Sequence, residues 1–220
     1  NFKKEILELG YPRNDILYLP EDKKQDKTAS IKQSLGIPID KKVLLYAPTF
    51  RDDEVNKKQK HIIDLKLDLF KMKEDLGNNF ILLLRPHIII SNSLKIDQTL
   101  SDFIINVANY NDINALYLIT DICITDYSSV MFDFANTKKP LLFYAYDLSH
   151  YRDTLRGFYL NFEDEVPGPI SESQSQLIHH IKNIETIQKT YELKYNAFYD
   201  KYCTYETGHA SKSIVNRFFS

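Results

Sequence analysis

The chain has 220 residues, 43% of them hydrophobic, and a formal net charge of −2 at pH 7. These values are typical of a globular protein and give no basis for electrostatic capture of nucleic acid. No apolar run approaches the roughly 20 residues that a membrane-spanning helix needs, and no signal peptide is recognisable. The two cysteines form no CxxC pair, which favours a reduced, cytoplasmic setting over a disulfide framework.

The N-terminal part of the chain, residues 1–40, is predicted to form two helices on either side of a turn. The turn is the proline-containing stretch GYPRND, and the second helix lies near Thr28–Leu35. The sequence begins at Asn1 rather than at a Met, inside what reads as the first helix. We therefore expect the chain to be a fragment of a longer protein.

Five short apolar runs follow. Each is almost continuously hydrophobic rather than alternating, as expected for parallel strands that are covered on both faces. The five predicted strands are Val43–Ala47, Phe80–Leu84, Phe103–Val107, Ile122–Thr125 and Leu141–Ala145. Between the first two, the mixed-charge stretch Arg51–Lys60 reads as a solvated loop.

Helical segments separate these strands. The apolar spacing before Gly77 indicates a helix that this glycine stops, and Asp112 is the predicted N-cap of another. A further helix begins at Ser128 or Ser129 and ends before Pro140. Strands that alternate with helices in this way predict an α/β fold with a doubly wound, Rossmann-like parallel sheet.

Three more helices are predicted after Pro169, and the middle one carries an aromatic stripe that favours packing against the sheet. They are Gln176–Ile184, Ile187–Tyr202 and Ala210–Phe219. We therefore expect one domain overall. It consists of N-terminal helices over residues 1–40, an α/β core over residues 41–170 and C-terminal helices over residues 171–220 that pack back on the core.

The loops after the strands are the expected binding region, because ligands of open parallel sheets bind outside the carboxyl ends of the strands. Three of these loops have unusual sequences. They are PTF after Ala47, RPH after Leu84 and DYSS after Thr125. The first supplies Pro48 and Thr49, and thus a hydroxyl on a proline-stiffened loop.

The DYSS loop places Ser128 and Ser129 where a strand runs into a helix. Free backbone N–H groups, two hydroxyls and the positive end of the helix dipole together suit an anion, and phosphate is the usual occupant. Simple capping of the helix by Ser128 explains the same residues equally well. Asp133 shares a helix face with Ser129, where it either accepts hydrogen bonds from polyol hydroxyls or is merely solvated.

The RPH loop strengthens the phosphate interpretation. Arg85 offers a planar fork of donors that suits phosphate oxygens. Pro86 stiffens the turn, and His87 can donate a proton or a hydrogen bond near neutral pH. Arg13, in the GYPRND turn, is a further cation that either reaches over the sheet edge or stays at the surface.

Other catalytic and cofactor motifs are absent from the sequence. It contains no GxSxG, no Walker loop, no HExxH and no GxGxxG, and its 6 glycines rule out a glycine-rich dinucleotide fingerprint. A triad of Ser128, His87 and Asp133 can be drawn but lacks the nucleophile elbow. No histidine or cysteine spacing indicates a metal site.

An ordered set of motifs resembles the CDP-glycerol glycerophosphotransferase family, the teichoic-acid and capsule polymerases and primases. The motifs are GYPRND, LLYAPTFR, RPH, TDICITDYSSVMFDFA, KKPLLFYAYD and GHAS, and they extend over residues 10–211. The resemblance implies the C-terminal, donor-binding half of a GT-B fold, with extra C-terminal helices. It also implies that the N-terminal, acceptor-binding domain of that fold is missing from this chain.

The resemblance implies a reaction in which an acceptor hydroxyl attacks the β-phosphorus of CDP-glycerol, or of a relative such as CDP-ribitol, and releases CMP. It implies His87 and Arg85 as catalytic residues, without a cofactor or a divalent metal. The implied donor contacts are Arg13, Pro48, Thr49, Arg85, Pro86, His87, Ser128, Ser129 and Asp133. Without the acceptor domain and its general base, the isolated chain is expected to bind donor but not to transfer.

The acceptor in that family is a lipid-linked or polymeric hydroxyl, so the resemblance implies a cytoplasmic enzyme associated peripherally with the inner face of the cell membrane. Two alternatives remain. One is a GT-B glycosyltransferase or nucleotide-sugar epimerase domain that uses a UDP- or CMP-sugar, since fold does not fix substrate. The other is a catalytically inactive binding or interaction module, against which Arg85, His87 and the serine pair argue.

Overall fold

A six-stranded parallel sheet forms the centre of the computed structural model, which describes residues 3–49, 51, 65–86, 96–155, 157–158 and 160–219. The strands are β1 (Lys42–Tyr46), β2 (Phe80–Leu84), β3 (Ile104–Asn106), β4 (Ile122–Thr125), β5 (Leu141–Tyr144) and β6 (Ile170–Ser171). They lie in the order β3–β2–β1–β4–β5–β6, and each neighbouring pair is parallel. The predicted doubly wound α/β fold is confirmed.

Helices pack on both faces of the sheet. Within the described residues, the α-helices are α1 (Glu21–Ser34), α2 (Leu69–Leu76), α3 (Ile113–Ile119), α4 (Val130–Ala135), α5 (Leu148–His150), α6 (Phe162–Glu165), α7 (Gln174–Lys182), α8 (Ile184–Tyr202) and α9 (Ala210–Phe219). The chain also forms 3₁₀ helices at Pro12–Tyr18 and Gln98–Leu100 and a π-helical turn at Tyr151–Leu155. None of the described helices combines the length and the apolar character that crossing a lipid bilayer requires.

Successive side chains of the strands enter two separate cores, one on each face of the sheet. In β1, Val43 and Leu45 belong to the first core, together with residues of α1, α3, α4 and α8. Leu44 and Tyr46 belong to the second core, with residues of α2 and α7. All four side chains are buried, which explains why the strand reads as an unbroken apolar run.

The five predicted strands are all present, and their ends lie within one residue of the prediction. The sequence pattern missed β6, because a strand of two residues carries no periodic signal. Gly168 lies just before it and allows the chain to approach β5 closely. A Cβ atom at this glycine would lie 1.8 Å from the carbonyl oxygen of Leu141.

The N-terminal segment differs from the prediction. Among the described residues before Gly10 none is helical, so the predicted first helix is wrong. Gly10 has a φ of +79°, and a Cβ there would lie 2.6 Å from the carbonyl oxygen of Tyr205. The N–H of Tyr11 donates to the carboxylate of Glu206 at 3.3 Å. Long-range contacts with the C-terminal part of the chain thus replace local helical bonds.

The C-terminal helices agree with the prediction more closely. Helix α9 has the predicted bounds, whereas α7 begins two residues early, at Gln174. The reason is a capping box, in which the Ser173 hydroxyl accepts from the N–H of Gln176 and the Gln176 side chain accepts from the N–H of Ser173. Aromatic side chains of α8 pack on the first core, where the buried ring of Phe198 stacks on Phe132.

The strand order reverses between β1 and β4, which places the switch point of the sheet between these two strands. Their carboxyl ends are joined side by side, since the N–H of Ala47 donates to Ile124 and the Thr125 hydroxyl donates to the carbonyl of Ala47. The loops that follow, with Thr49 on one side and Asp126 on the other, therefore leave the sheet next to each other. Ligands of doubly wound sheets bind at this position.

Candidate functional site

A cleft of about 670 Å³ opens at the carboxyl edge of the sheet, over the switch point. The loops after β1, β2, β3 and β4 contribute to its lining, together with Tyr151 from beyond β5. The structure thus brings together residues that are far apart in the sequence. The predicted site residues that line this cleft are Pro48, Thr49, Arg85, Pro86, Ser128 and Ser129.

Arg85 places a half-buried cation in the cleft. Its Nη1 donates to the carbonyls of Val107 and Tyr110, both at 2.8 Å, which fixes the guanidinium against the loop after β3. Burial lowers the pKa of Arg85, but an arginine in a protein keeps its proton. No carboxylate of the described residues forms a salt bridge with it. An anion bound in the cleft would supply the missing counter-charge.

Ser128 and Ser129 form the turn between β4 and α4, on the wall of the same cleft. The Ser128 hydroxyl accepts from the N–H of Val130 at 3.3 Å, so it caps the helix. The Ser129 side chain makes no capping bond. The Ser129 hydroxyl, which does not cap the helix, therefore lies in the same cleft as Arg85.

Thr49 is anchored by a carboxylate that the sequence pattern did not single out. Its N–H lies 2.9 and 3.0 Å from the two oxygens of Asp126, and its hydroxyl donates to Asp126 Oδ1 at 2.5 Å. Asp126 directly follows β4 and is 1% exposed. Burial raises the pKa of this carboxyl, while Arg51 and the bonds from Thr49 oppose that rise. These bonds join two loops across the switch point.

Arg51 is the counter-ion of Asp126. Its Nη1 donates to Asp126 Oδ2 at 3.0 Å and to the carbonyl of Thr49 at 2.8 Å. Its Nε and Nη2 donate to the two oxygens of Asp147, beyond β5, at 2.7 and 3.1 Å. Burial alone would lower the pKa of Arg51, but the two carboxylates raise it. Arg51 is 5% exposed, so the prediction of a solvated loop is wrong for this residue, while residues 52–60 of the same stretch lie outside the described residues.

Aromatic rings surround the Arg51 guanidinium. The rings of Tyr127, Tyr151 and Tyr146 have their centres 5.0, 5.2 and 5.6 Å from its central carbon. The Tyr127 hydroxyl donates to Asp147 at 2.9 Å, and its ring stacks on Tyr151 with centres 3.9 Å apart. Tyr127 and Tyr151 also line the cleft. One wall of the cleft therefore packs directly against Arg51 and its ion pairs with Asp126 and Asp147.

Arg13 and Asp133 lie together but do not line the cleft. Arg13 Nη2 is 3.1 and 3.2 Å from the two oxygens of Asp133. The side-chain amide of Asn14 donates to the same carboxylate at 3.0 Å and to Glu206 at 2.9 Å. In this structure, then, the N-terminal 3₁₀ helix engages Asp133.

His87, the predicted proton or hydrogen-bond donor of the RPH loop, lies outside the described residues. Pro86, the residue before it, lines the cleft. Within the described ranges, no group of three or more His, Cys, Asp or Glu side chains is arranged to hold a metal ion. The described part of the cleft therefore offers a guanidinium, hydroxyls and aromatic rings, a set that suits a phosphorylated ligand with a planar or hydroxylated part.

Known proteins are similar to the chain over nearly its whole length. A family described as CDP-Glycerol:Poly(glycerophosphate) glycerophosphotransferase matches residues 1–220. The teichoic acid poly(glycerol phosphate) polymerase of Staphylococcus epidermidis is 45% identical over 212 residues, which cover 96% of this chain and 29% of that protein. The teichoic acid glycerol-phosphate transferase of Staphylococcus aureus is 43% identical over 219 residues, which cover 99% of this chain and 55% of that protein.

A solved structure shares the fold. A variant of the wall teichoic acid polymerase TagF, soaked with CDPG, is 44% identical and matches with a TM-score of 0.87 over 96% of this chain and 50% of that one. The chain thus spans between 29% and 55% of the length of these three relatives. Because the family match extends over all 220 residues, the chain belongs to the CDP-glycerol:poly(glycerophosphate) glycerophosphotransferase family.

Proposed function

We propose that the cleft binds CDP-glycerol and that the chain is the donor-binding part of an enzyme that transfers glycerol phosphate in teichoic acid or capsular polymer synthesis. The observation that carries the proposal is the guanidinium of Arg85. It is half-buried in the cleft, is held by carbonyls, and has no carboxylate partner among the described residues. The named activities of the two staphylococcal relatives support glycerol phosphate as the transferred group.

In the proposed reaction, a hydroxyl oxygen of the acceptor attacks the β-phosphorus of the donor. The bond between that phosphorus and the bridging oxygen of the diphosphate breaks, and CMP leaves with the bridging oxygen. A phosphodiester then joins glycerol phosphate to the acceptor, and the hydroxyl proton passes to a base. Negative charge grows on the CMP oxygens as the bond breaks, so a positively charged cleft stabilises the transition state.

In the proposal, Arg85 and the hydroxyl of Ser129, which makes no capping bond, bind the diphosphate. His87 is proposed to assist the departure of CMP. Thr49 has a different role, because its N–H and its hydroxyl hydrogen are both directed at Asp126. Its oxygen can then only accept, which suits a hydroxyl of the ribose or the polyol rather than a phosphate oxygen. The protein groups supply the positive charge, so we propose that no divalent metal is required.

Isothermal titration of the chain with CDP-glycerol, CDP, UDP and CMP tests the proposal. We expect CDP-glycerol and CDP to bind more tightly than UDP, since the base should be recognised. We expect CMP to bind more weakly than CDP, because it lacks the second phosphate that Arg85 would hold. A preference for UDP would favour a UDP-sugar enzyme, and the absence of CDP-glycerol binding would contradict the proposal.

The acceptor belongs to a further part of the proposal. We propose that a lipid-linked or polymeric hydroxyl and the general base are held by sequence outside this chain, and that the enzyme works as a peripheral protein at the inner face of the cell membrane. The coverage of the relatives supports this division, since they contain sequence well beyond the matched region. Fractionation of cells tests the location: the enzyme should sediment with membranes and be released by a salt wash. Recovery in the soluble fraction alone would contradict it.

A further inference from the structure

The buried ion cluster behind the cleft, made by Arg51, Asp126 and Asp147, takes no direct part in the proposed reaction. None of these three residues lines the cleft. Building on the proposed function, we infer that Arg51 is a positioning residue for donor binding. It fixes two cleft walls in place and offsets part of the negative charge of the carboxylates that lie behind them.

One guanidinium connects three loops at the carboxyl edge of the sheet. Its acceptors are the carbonyl of Thr49 after β1, the carboxylate of Asp126 after β4 and the carboxylate of Asp147 after β5. The strands β1, β4 and β5 are neighbours in the sheet. Because the donors of a guanidinium lie in one plane at fixed angles, the three acceptors are held in fixed directions relative to one another.

The cluster also orients two side chains that do line the cleft. Asp126 receives both the N–H and the hydroxyl of Thr49, and Asp147 receives the hydroxyl of Tyr127. Arg51 also donates to each of these carboxylates. Loss of the guanidinium therefore frees the two carboxylates and, through them, the directions in which Thr49 and Tyr127 present their side chains.

The charges of the cluster matter for an anionic ligand. Arg51 offsets one of the two negative charges behind the cleft wall; without it, each carboxylate that stays ionised there repels a diphosphate. Stability alone gives little reason for such a cluster, because well-packed apolar residues often stabilise a core as much as a buried ion pair does. Control of geometry and charge at the adjoining cleft accounts for it better.

Hydrogen–deuterium exchange on the whole chain tests the positioning without any ligand. In Arg51→Ala we expect faster exchange in the peptides that contain Thr49 and Tyr127, while α8 and α9 keep their protection. The matched control is Arg152→Ala, which removes an exposed arginine that pairs with Asp153 and Glu163 and should leave those peptides unchanged. Equal protection in Arg51→Ala and the wild type would overturn the inference.

Titration with CDP-glycerol tests the consequence for binding. We expect Arg51→Ala to bind at least about tenfold more weakly, a loss of about 1.4 kcal/mol, and to regain affinity when guanidinium is added. Urea, which has the same shape without the charge, should not restore it. A folded Arg51→Ala with wild-type affinity would overturn the inference. If the wild type itself fails to bind CDP-glycerol, the proposed function fails, and the exchange experiment still decides whether Arg51 orders the loops.

A second variant keeps the inference testable if Arg51→Ala does not fold. Asp147→Asn preserves the volume of the side chain but removes the charge that Arg51 contacts at 2.7 Å. We expect it to fold, to exchange faster around Tyr127 and to bind CDP-glycerol more weakly than the wild type. Wild-type behaviour in both measurements would overturn the inference.

Discussion

At the scale of single residues, the cleft depends on Arg85. Among the described residues, two carbonyls and no carboxylate hold this side chain, so its charge is available to a ligand. A hydrogen bond to a charged group contributes about 1.5–3 kcal/mol, and Arg85→Ala should therefore weaken CDP-glycerol binding by about 10- to 150-fold. Isothermal titration measures this loss directly.

Two further variants test whether a loss of affinity in Arg85→Ala comes from the missing guanidinium or from general destabilisation of the protein. Arg85→Lys keeps the charge but not the planar fork of donors, so it should recover only part of the affinity. Arg217→Ala removes an exposed arginine from α9 and should bind like the wild type. An Arg85→Ala variant within twofold of the wild type would contradict the assignment of the cleft.

The sequence pattern predicted residues that line the cleft but missed the buried charged residues behind them. Thr49, Arg85 and Ser129 could be predicted because loops that follow parallel strands converge at one edge of the sheet. Asp126 and Arg51 were missed because a buried polar residue that is paired across the sheet has no periodic signature in the chain. The signals that were available are an acid directly after the buried strand β4 and an arginine five residues after the end of β1.

At the scale of elements, Asp15 connects the N-terminal 3₁₀ helix to α9. Its two oxygens accept from the N–H groups of Ala210 and Ser211 at 2.9 and 2.8 Å, so it acts as a helix cap supplied from elsewhere in the chain. We expect Asp15→Ala to lower the free energy of unfolding by about 1 kcal/mol. Urea titration measures the change, and the exposed Asp26→Ala is the control.

The contribution of Asp15 should also depend on pH. Burial acts to raise the pKa of Asp15, but hydrogen bonds from Ser211 and Ala210 lower it below the ordinary value. A carboxyl with a lowered folded-state pKa stabilises the protein above its unfolded pKa of about 3.9 and loses that contribution as the pH falls through the folded value. The stability difference between wild type and Asp15→Ala should therefore be constant from pH 5 to 7, as a rough window, and shrink in more acidic solution. A constant difference at every pH would contradict this account.

The pairing of β5 with β6 depends on Gly168. A Cβ at this position would overlap the carbonyl oxygen of Leu141, which is main chain and cannot rotate away. We expect Gly168→Ala to cost about 3 kcal/mol in the free energy of unfolding, measured in urea. Gly36→Ala is the matched comparison, because φ there is +67° but nothing lies within 4 Å; it should cost about 1 kcal/mol. A smaller loss at Gly168 than at Gly36 would contradict the close approach.

Among the elements, the longer strands were predictable because they are buried on both faces. The five longer strands were found because both faces of each are covered, which leaves a continuous apolar run. The first predicted helix failed because contacts with Tyr205 and Glu206 prevail over local propensity. The local sequence around Tyr11 cannot predict a contact with Glu206, which lies 195 residues away.

At the scale of the whole molecule, we propose that protein side chains rather than a metal ion compensate the negative charge of the bound diphosphate. Arg85 lines the cleft as a cation, so donor binding should not require a divalent ion. We expect titrations with CDP-glycerol in the presence of EDTA or of Mg²⁺ to give affinities within about twofold of each other. A large loss of affinity in EDTA would show that a metal takes part in donor binding.

The chain alone should bind the donor without transferring it. It spans 29% and 55% of the length of the two staphylococcal relatives, and the proposal assigns the acceptor and the base to sequence outside it. We expect CMP release from CDP-glycerol to stay at the uncatalysed rate with this chain, whether or not acceptor is added. Acceptor-dependent release of CMP would show that the chain carries the whole reaction.

The contacts between the first and last described segments have a practical consequence. The N–H of Tyr11 donates a hydrogen bond to Glu206, and Asp15 caps α9. Arg217 Nη2 also lies 3.5 Å from the carboxylate of Glu5. Polypeptide attached to either terminus must therefore emerge from one side of the molecule. Two fluorophores placed on such extensions would report energy transfer at short range, and that signal would disappear when the C-terminal helix detaches.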